Sequence, residues 1–563
     1  MQLRAAMAAM VLLLGGVGVA CAQGPTPTAA TRRAEAAITA EFLRAQTAFL
    51  ADDLLEGRAP ATRGGELAAH YIAAQFARLG LAPAGDNGTY FQNFSMLGQT
   101  VAPTAHLRVA GRGPVQTFNY FDDFVPFTDE ERERVQVAGE LVFVGYGIVA
   151  PEYRWDDFKG VEVKGKVLLM LVNDPPATPA EPQLFGGQAL TYYGRWTYKY
   201  QNAARQGAAG AILIHTTESA GYPFKVVQTS WSGEQFALPR SPGDVPPLAL
   251  KAWVSESAAK KILAMAGQDL SALQEAAARR SFRPVELGLK VSTALPQELR
   301  RIESPNVIGV LPGSDARLKQ QYVIYTAHYD HLGVGKEVNG DAIYNGAADN
   351  ALGVAALLGI AEAMARLEEA PKRTQVFLAV TAEEYGLLGS AYYAQNPVFP
   401  PAQTVANINI DGLSRWGPTR DIVLIGKGKS ELDEVAQLVA RAMGLELRSD
   451  QFPEKGYFYR SDQFSFAKQG IPALYFDEGL EVIGQSAGYG KKKAEEWVAT
   501  DYHQPSDEIK PDWDWRGAEQ MARFLFQVGW RVANWERRFE WYENAEFRAV
   551  RLKSLRPAGL LKE

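Results

Sequence analysis

The stretch Tyr322-Val323-Ile324-Tyr325-Thr326-Ala327-His328-Tyr329-Asp330-His331 runs from a short apolar segment straight into two imidazoles and a carboxylate. Its first half, residues 322–326, is rich in β-branched and apolar side chains and reads as a buried parallel strand. Residues 375–381 and 404–410 share that character. Between the first two lies an Ala/Leu-rich segment, 351–367, with helical apolar spacing, and 430–443 is similar. Strand and helix in alternation predict a doubly wound α/β sheet flanked by helices. In such sheets the ligand site lies beyond the carboxyl ends of the strands, and His328, Glu383, Glu384 and Asp411 all fall there. Asp349, in Gly346-Ala347-Ala348-Asp349-Asn350, and His503, in Asp501-Tyr502-His503-Gln504, complete a ligand set for two adjacent divalent metals.

Imidazoles and carboxylates without a thiolate suit Zn²⁺ better than Ca²⁺ or Mg²⁺, which prefer all-oxygen shells; Co²⁺ or Mn²⁺ are admissible substitutes. If Asp349 bridges, one metal takes His328, Asp349 and Asp411, and the other takes Asp349, Glu384 and His503. Glu383 is then the spare carboxylate. Adjacent residues at a strand end point in different directions, so Glu384 can bind metal while Glu383 faces the bound water as general base. The charges balance, because the four carboxylates supply about −4 and two Zn²⁺ about +4. Asp330, two positions from His328, is placed to accept the other imidazole N–H and orient the ring. A lone His-x-Asp or Glu-Glu pair is ordinarily structural. The chain, however, has only six His, and His328, His331 and His503 lie in this constellation. His70, His106 and His215 read as structural, and His331 has no assigned role.

The ordered series His328-x-Asp330, Gly346-x-x-Asp349-Asn350-x-x-Gly353, Glu383-Glu384-x-Gly386-x-x-Gly389-Ser390, Asp411-Gly412, Ser461-Asp462 and His503-x-x-x-Asp507 resembles the co-catalytic dizinc aminopeptidase family. That family is related to leucyl aminopeptidases and includes glutamate carboxypeptidases, glutaminyl cyclases and the catalytically silent transferrin receptor. The resemblance covers roughly residues 300–510. It implies a phosphorylase/hydrolase-like fold, the metal roles assigned above, and a cis peptide between Asp349 and Asn350. One departure is Ser461-Asp462-Gln463, where the family often has Ser-Asp-His. Some members place a transition-state-stabilising Tyr a few residues earlier, and here Tyr457, Phe458 and Tyr459 all occupy that place.

With 563 residues, 47% of them hydrophobic, and a formal net charge of −6, the chain reads as a soluble protein of two or three domains. Its mild acidity offers no argument for a nucleic-acid partner. Residues 1–22 join a positive start, an apolar run and Ala20-Cys21-Ala22, an A-x-A cleavage site. They read as a secretory signal peptide, with export to a bacterial periplasm or medium. The apolar run is short for a membrane helix, nothing later is long enough, and no transmembrane segment is expected. The competing reading makes Cys21 a lipidated N-terminus, although Gly18-Val19-Ala20 matches the usual Leu-led lipoprotein box poorly.

Residues 23–130 are expected to form the N-terminal part of the peptidase domain, with helices over 33–50 and 65–79. Over 131–290 the pattern changes to strands at 140–147, 165–172 and 211–214, a strand and helix within 248–265, and a helix over 198–207. This resembles the mainly-β protease-associated domain that secreted members insert ahead of the metal site. Arg195 and Trp196 are tempting rim residues there, but an Arg beside aromatics is more often packing. Residues 291–540 carry the catalytic domain, ending in an amphipathic helix over 517–536, and 541–563 form a C-terminal tail rich in aromatics and Arg.

Together these features predict a secreted dizinc exopeptidase acting on peptides, an aminopeptidase first, with Glu383 as base toward a metal-held water. A carboxypeptidase of the same family is the nearer alternative. It would need a fixed cationic grip on the terminal carboxylate, and Arg415 and Arg460 are the arginines near the motifs. A mono-zinc glutaminyl cyclase and a non-catalytic binding protein are the remoter ones.

Overall fold

A computed structural model describes residues 24–241 and 243–560. The leader expected over 1–22, with Cys21, lies outside the described residues.

The main sheet is mixed. Its strands lie in the order Phe91–Val101, Val285–Leu311, Thr374–Val380, Tyr322–His328, Thr404–Asn409, Ala473–Asp477, Asp421–Ile425 and Glu446–Ser449. The four strands at its centre, Thr374–Val380 through Ala473–Asp477, are parallel to one another. Tyr322–His328 is buried at nearly every position, as a strand covered on both faces must be. The helix Leu352–Ala365 connects it to Thr374–Val380. With the turn before it, the run Ala347–Ala365 is long and apolar enough to cross a bilayer, contrary to expectation, yet all of it is buried in the core. Against it pack the helices Ala40–Leu50 and Arg516–Asn534, the latter burying Phe524, Leu525 and Val528. Each such side chain contributes roughly 1.5–3 kcal/mol.

The helix expected over 33–50 is two helices, Ala29–Glu35 and Ala40–Leu50, because the Thr39 hydroxyl accepts the Phe42 N–H and caps a new start. The segment expected as a tail is bound in. Trp541 is buried and donates its indole N–H to the Gly470 carbonyl at 2.8 Å, and the buried Arg551 bonds to Glu540 and the Pro401 carbonyl.

A second sheet orders Gln116–Asn119, His106–Ala110, Val285–Leu311, Arg134–Phe143, Val167–Leu171, Gly210–Ile214, Leu250–Val254 and Phe124–Phe127. It begins at His106, ahead of the boundary expected at 131, and carries the helices Trp196–Arg205, Phe224–Trp231, Glu256–Met265 and Leu270–Ala277. Val285–Leu311 belongs to both sheets. Pro296 faces Arg134 in the second, and Gln297 faces Val101 in the first. Its alternating burial in the first half marks a strand with one covered face. One unbroken strand therefore ties the second sheet to the main sheet, across the boundary expected at 290.

His215 is buried beside Phe224, Tyr222 and Trp253, and its Nε2 has no hydrogen-bond partner among the described residues. Burial pulls its pKa down to about 4. The unfolded chain then binds the extra proton between about pH 6.5 and 4, so stability is present above that window and lost as pH falls through it. We expect the native insert to lose up to about 3 kcal/mol on acidification through this group. Urea unfolding followed at pH 7.5 and 4.5 should show a smaller acid loss in His215→Leu than in the wild type.

Candidate active site

The parallel register sets the site. His328 stands opposite Val380, and Thr326 opposite Asn409, so three adjacent strands end together. The chain beyond them delivers His328, Glu383, Glu384 and Asp411 to one edge. Asp349 arrives from the turn ahead of the helix Leu352–Ala365, where the peptide to Asn350 is cis. That turn is held by Asp507, whose carboxylate accepts the backbone N–H groups of Ala348 and Asp349, each at 3.0 Å. Gly346 opens it at φ 57°, where a Cβ would stand 2.5 Å from the His331 ring. No other residue fits that place. Behind the turn the buried Arg58 donates to the carbonyls of Tyr329, Leu50, Asn345 and Gly346.

Asp349 lies between two triads. Its Oδ1 is 3.2 Å from His328 Nε2, which is 3.3 Å from Asp411 Oδ1. Its Oδ2 is 3.4 Å from His503 Nε2, which is 2.9 Å from Glu384 Oε2. Ligands of a tetrahedral Zn²⁺, about 2.0–2.1 Å from the ion, are about 3.3–3.4 Å from one another. The spacings around Asp349 are of the order that metal coordination sets. The electrostatics agree. Burial opposes charge on both imidazoles, yet Glu384 and Asp349 outweigh it at His503 and push that imidazole up to about 10. Glu383 and Asp411 do the same at His328, which lies well above its usual range. Carboxylates this close together demand positive charge.

The two glutamates differ in what holds them. Glu384 Oε1 is 2.6 Å from His331 Nδ1 and its other oxygen faces His503, which together keep it ionised, down to about 2, despite burial. His331 thus acquires the role that the sequence left unassigned, orienting Glu384. Glu383 has no such partner among the described residues. Burial and the nearby Glu384, Asp411 and Asp462 hold its pKa well above the carboxyl range against the pull of His328.

One expectation needs correction. Asp330 was expected to take the His328 N–H on its carboxylate, but the Nδ1 is 3.2 Å from the Asp330 backbone carbonyl and 3.8 Å from its carboxylate. The carboxylate instead accepts the backbone N–H groups of Glu383 at 3.1 Å and Glu384 at 3.4 Å, fixing the loop that carries both. Burial pushes Asp330 up to about 7. Asp462, the acidic half of the Ser461-Asp462 motif, is buried and lines neither cavity. Its neighbour Ser461 does reach the site, donating to Asp411 Oδ2.

Two cavities meet at Glu383 and Glu384. The first, about 130 Å³, is lined by Asp349, Asp411, Tyr457, Trp497, Arg415 and Glu478 among others. Of the three aromatic candidates for the transition-state Tyr, only Tyr457 faces it. Tyr459 gives its hydroxyl to Glu546 at 2.9 Å, and Phe458 is packed in a core. The second cavity, about 210 Å³, is lined by His503, Tyr502, Arg460 and, from the insert, Tyr192, Arg195 and Trp196. Arg195, set aside in the sequence, therefore reaches the site. Neither it nor Arg460 has a carboxylate partner among the described residues, and burial together with Arg460 works against the Arg195 charge.

A mixed sheet with its carboxylate and imidazole residues gathered at the ends of the parallel strands, in spacings that suit metal ions, defines a metallopeptidase class. Residues 306–528 match the model of peptidase family M28. Mouse aminopeptidase NAALADL1 is 26% identical over 353 residues, covering 52% of this chain and 43% of that protein. The vacuolar membrane protease of Candida dubliniensis is 31% identical over 115 residues, 20% of this chain and 11% of the other. The chain thus spans less than half the length of these curated relatives. Among solved structures, the aminopeptidase from Aneurinibacillus sp. strain AM-1 superposes with a TM-score of 0.54 at 18% identity, covering 90% of this chain and 96% of that one. The peptidase M28 precursor from Shewanella amazonensis SB2B gives 0.50 at 17%, covering 90% and 98%. Both share the fold.

Proposed function

We propose that the chain is a dizinc aminopeptidase that releases N-terminal residues from peptides. The observation that carries the reading is the division of one carboxylate, Asp349, between a His328–Asp411 pair and a His503–Glu384 pair. His328, Asp349 and Asp411 would hold one Zn²⁺, and Asp349, Glu384 and His503 the other. When bound, the pair polarises the scissile carbonyl and makes water acidic enough to attack near neutral pH. Glu383 lines both cavities and has no side-chain partner among the described residues, so its carboxylate can take the proton from the attacking water and pass it to the leaving amine. Asp330 positions Glu383 through the backbone, His331 positions Glu384, and Tyr457 faces the reacting carbonyl from the first cavity.

The second reading, cleavage governed by a free carboxylate, has one observation in its favour: Arg195 and Arg460 line the second cavity without counter-ions. Guanidinium groups grip carboxylates in just this way. One peptide library with free and blocked termini separates the two. We expect N-acetylation to abolish cleavage and C-terminal amidation to leave it. The opposite pattern, together with loss of cleavage in Arg195→Ala, would establish the carboxypeptidase.

We read the second sheet and its helices as the protease-associated insert, and residues 1–22 as an export signal. N-terminal sequencing of the mature protein tests the latter.

A further inference from the structure

The insert reaches one of the proposed metal ligands directly. Ser230 Oγ lies 2.7 Å from His503 Nδ1, the ring nitrogen turned away from Asp349 and Glu384. Ser230 belongs to the helix Phe224–Trp231, whose buried face is Val226, Val227 and Ser230. That face is apolar except at the serine, and Ser230 is 6% exposed. The neighbouring Thr229 spends its hydroxyl on its own helix, at the carbonyls of Lys225 and Val226. The Ser230 hydroxyl has no such bond among the described residues. Its side chain is committed to the ring across the interface.

The same helix holds the backbone that carries His503. Thr229 Oγ1 accepts from Gln504 Nε2 at 3.2 Å, that amide also reaches the His503 carbonyl at 2.7 Å, and Lys225 Nζ donates to the Thr500 carbonyl. The helix is itself anchored in the insert, with Trp231 stacked on Phe127 and edge-on to Trp196. His503 has φ 56°, a left-handed conformation unfavourable for a residue with a β-carbon. Such a conformation persists where the surroundings over-determine it.

We propose that Ser230 is a positioning residue for His503, so that one of the two metal positions is built across the junction between insert and catalytic sheet while the other is built by the catalytic sheet alone. This rests on the dizinc reading. With Nε2 directed at the metal position, Nδ1 carries the proton and donates it to Ser230 Oγ, fixing both tautomer and ring angle. The His328 ring, by contrast, is held from its own strand end, by the Asp330 carbonyl.

The test is competitive titration of the metal-free protein with Zn²⁺ against a chromophoric chelator, repeated with Co²⁺ for the visible spectrum of each position. The wild type should fill two positions. Loss of an outer partner of a metal-bound His typically weakens affinity about 10- to 100-fold. Ser230→Ala should therefore weaken one step by that factor and leave the other in place, with an altered spectrum for the weakened step. Alanine is the better helix former, so the metal-free variant should unfold at an unchanged temperature. Ser230→Thr, which keeps the hydroxyl, should recover the lost step. Two unchanged steps in Ser230→Ala, equal loss at both, or a lowered midpoint of the metal-free variant would each overturn the proposal. A wild type that takes up no metal would instead remove the dizinc reading beneath it.

Discussion

Glu383→Gln should lower kcat by about 10² to 10⁴ or more while both metals stay bound, because it removes a general base and no ligand. The neighbouring substitution, Glu384→Gln, should release a metal. The contrast follows from what holds each side chain. Glu384 lies between His331 and His503, at 2.6 and 2.9 Å, whereas Glu383 faces the cavities without a partner among the described residues. KM should change little in Glu383→Gln, since the amide fills the same volume and the loss is confined to the transition state. Metal analysis beside steady-state kinetics decides it. Loss of a metal from Glu383→Gln with both kept by Glu384→Gln would exchange the two roles.

Stripping the metals should abolish activity altogether, with recovery on adding zinc or cobalt to about two equivalents per chain. Full activity with one equivalent or none would defeat the dinuclear reading. Removal should also cost stability, at ~4 kcal/mol for each position that had been held at a thousandfold excess over its Kd. The metal-free site compensates by protonation. His503 is pushed up to about 10, so its contribution to the metal-free protein is complete below about pH 6.5 and is lost as pH rises through about 10. A metal must displace that proton. Apparent zinc affinity should therefore climb with pH through the neutral range, which the same chelator titration at pH 6.5, 7.5 and 8.5 measures.

Much of this was legible in the residues themselves. Strand ends can be read because apolar β-branched runs stop abruptly at His328, Glu383 and Asp411, and the helix between the first two strands announces itself by composition. Local capping was harder. Thr39 divides what periodicity alone joined into one helix, because a side-chain acceptor for a backbone N–H interrupts the chain without changing its apolar spacing. The strand Val285–Leu311 carries a clear alternation in its first half, but its passage from one sheet into another depends on partners far away in sequence.

The sequence by itself determined the class of sheet and the edge where the imidazoles and carboxylates gather, since these depend on local pattern and on rules of strand order. Only the tertiary structure decided how those residues are held. It turned the Asp330 carboxylate toward the Glu383 and Glu384 backbone, gave His331 to Glu384, buried Asp462 behind the cavity walls, and brought Arg195 and Ser230 from the insert to the site. Those pairings are set by sheet register and by the packing of the insert against the ligand loop. Ser230 and His503 are 273 positions apart, and no periodicity in the chain connects them.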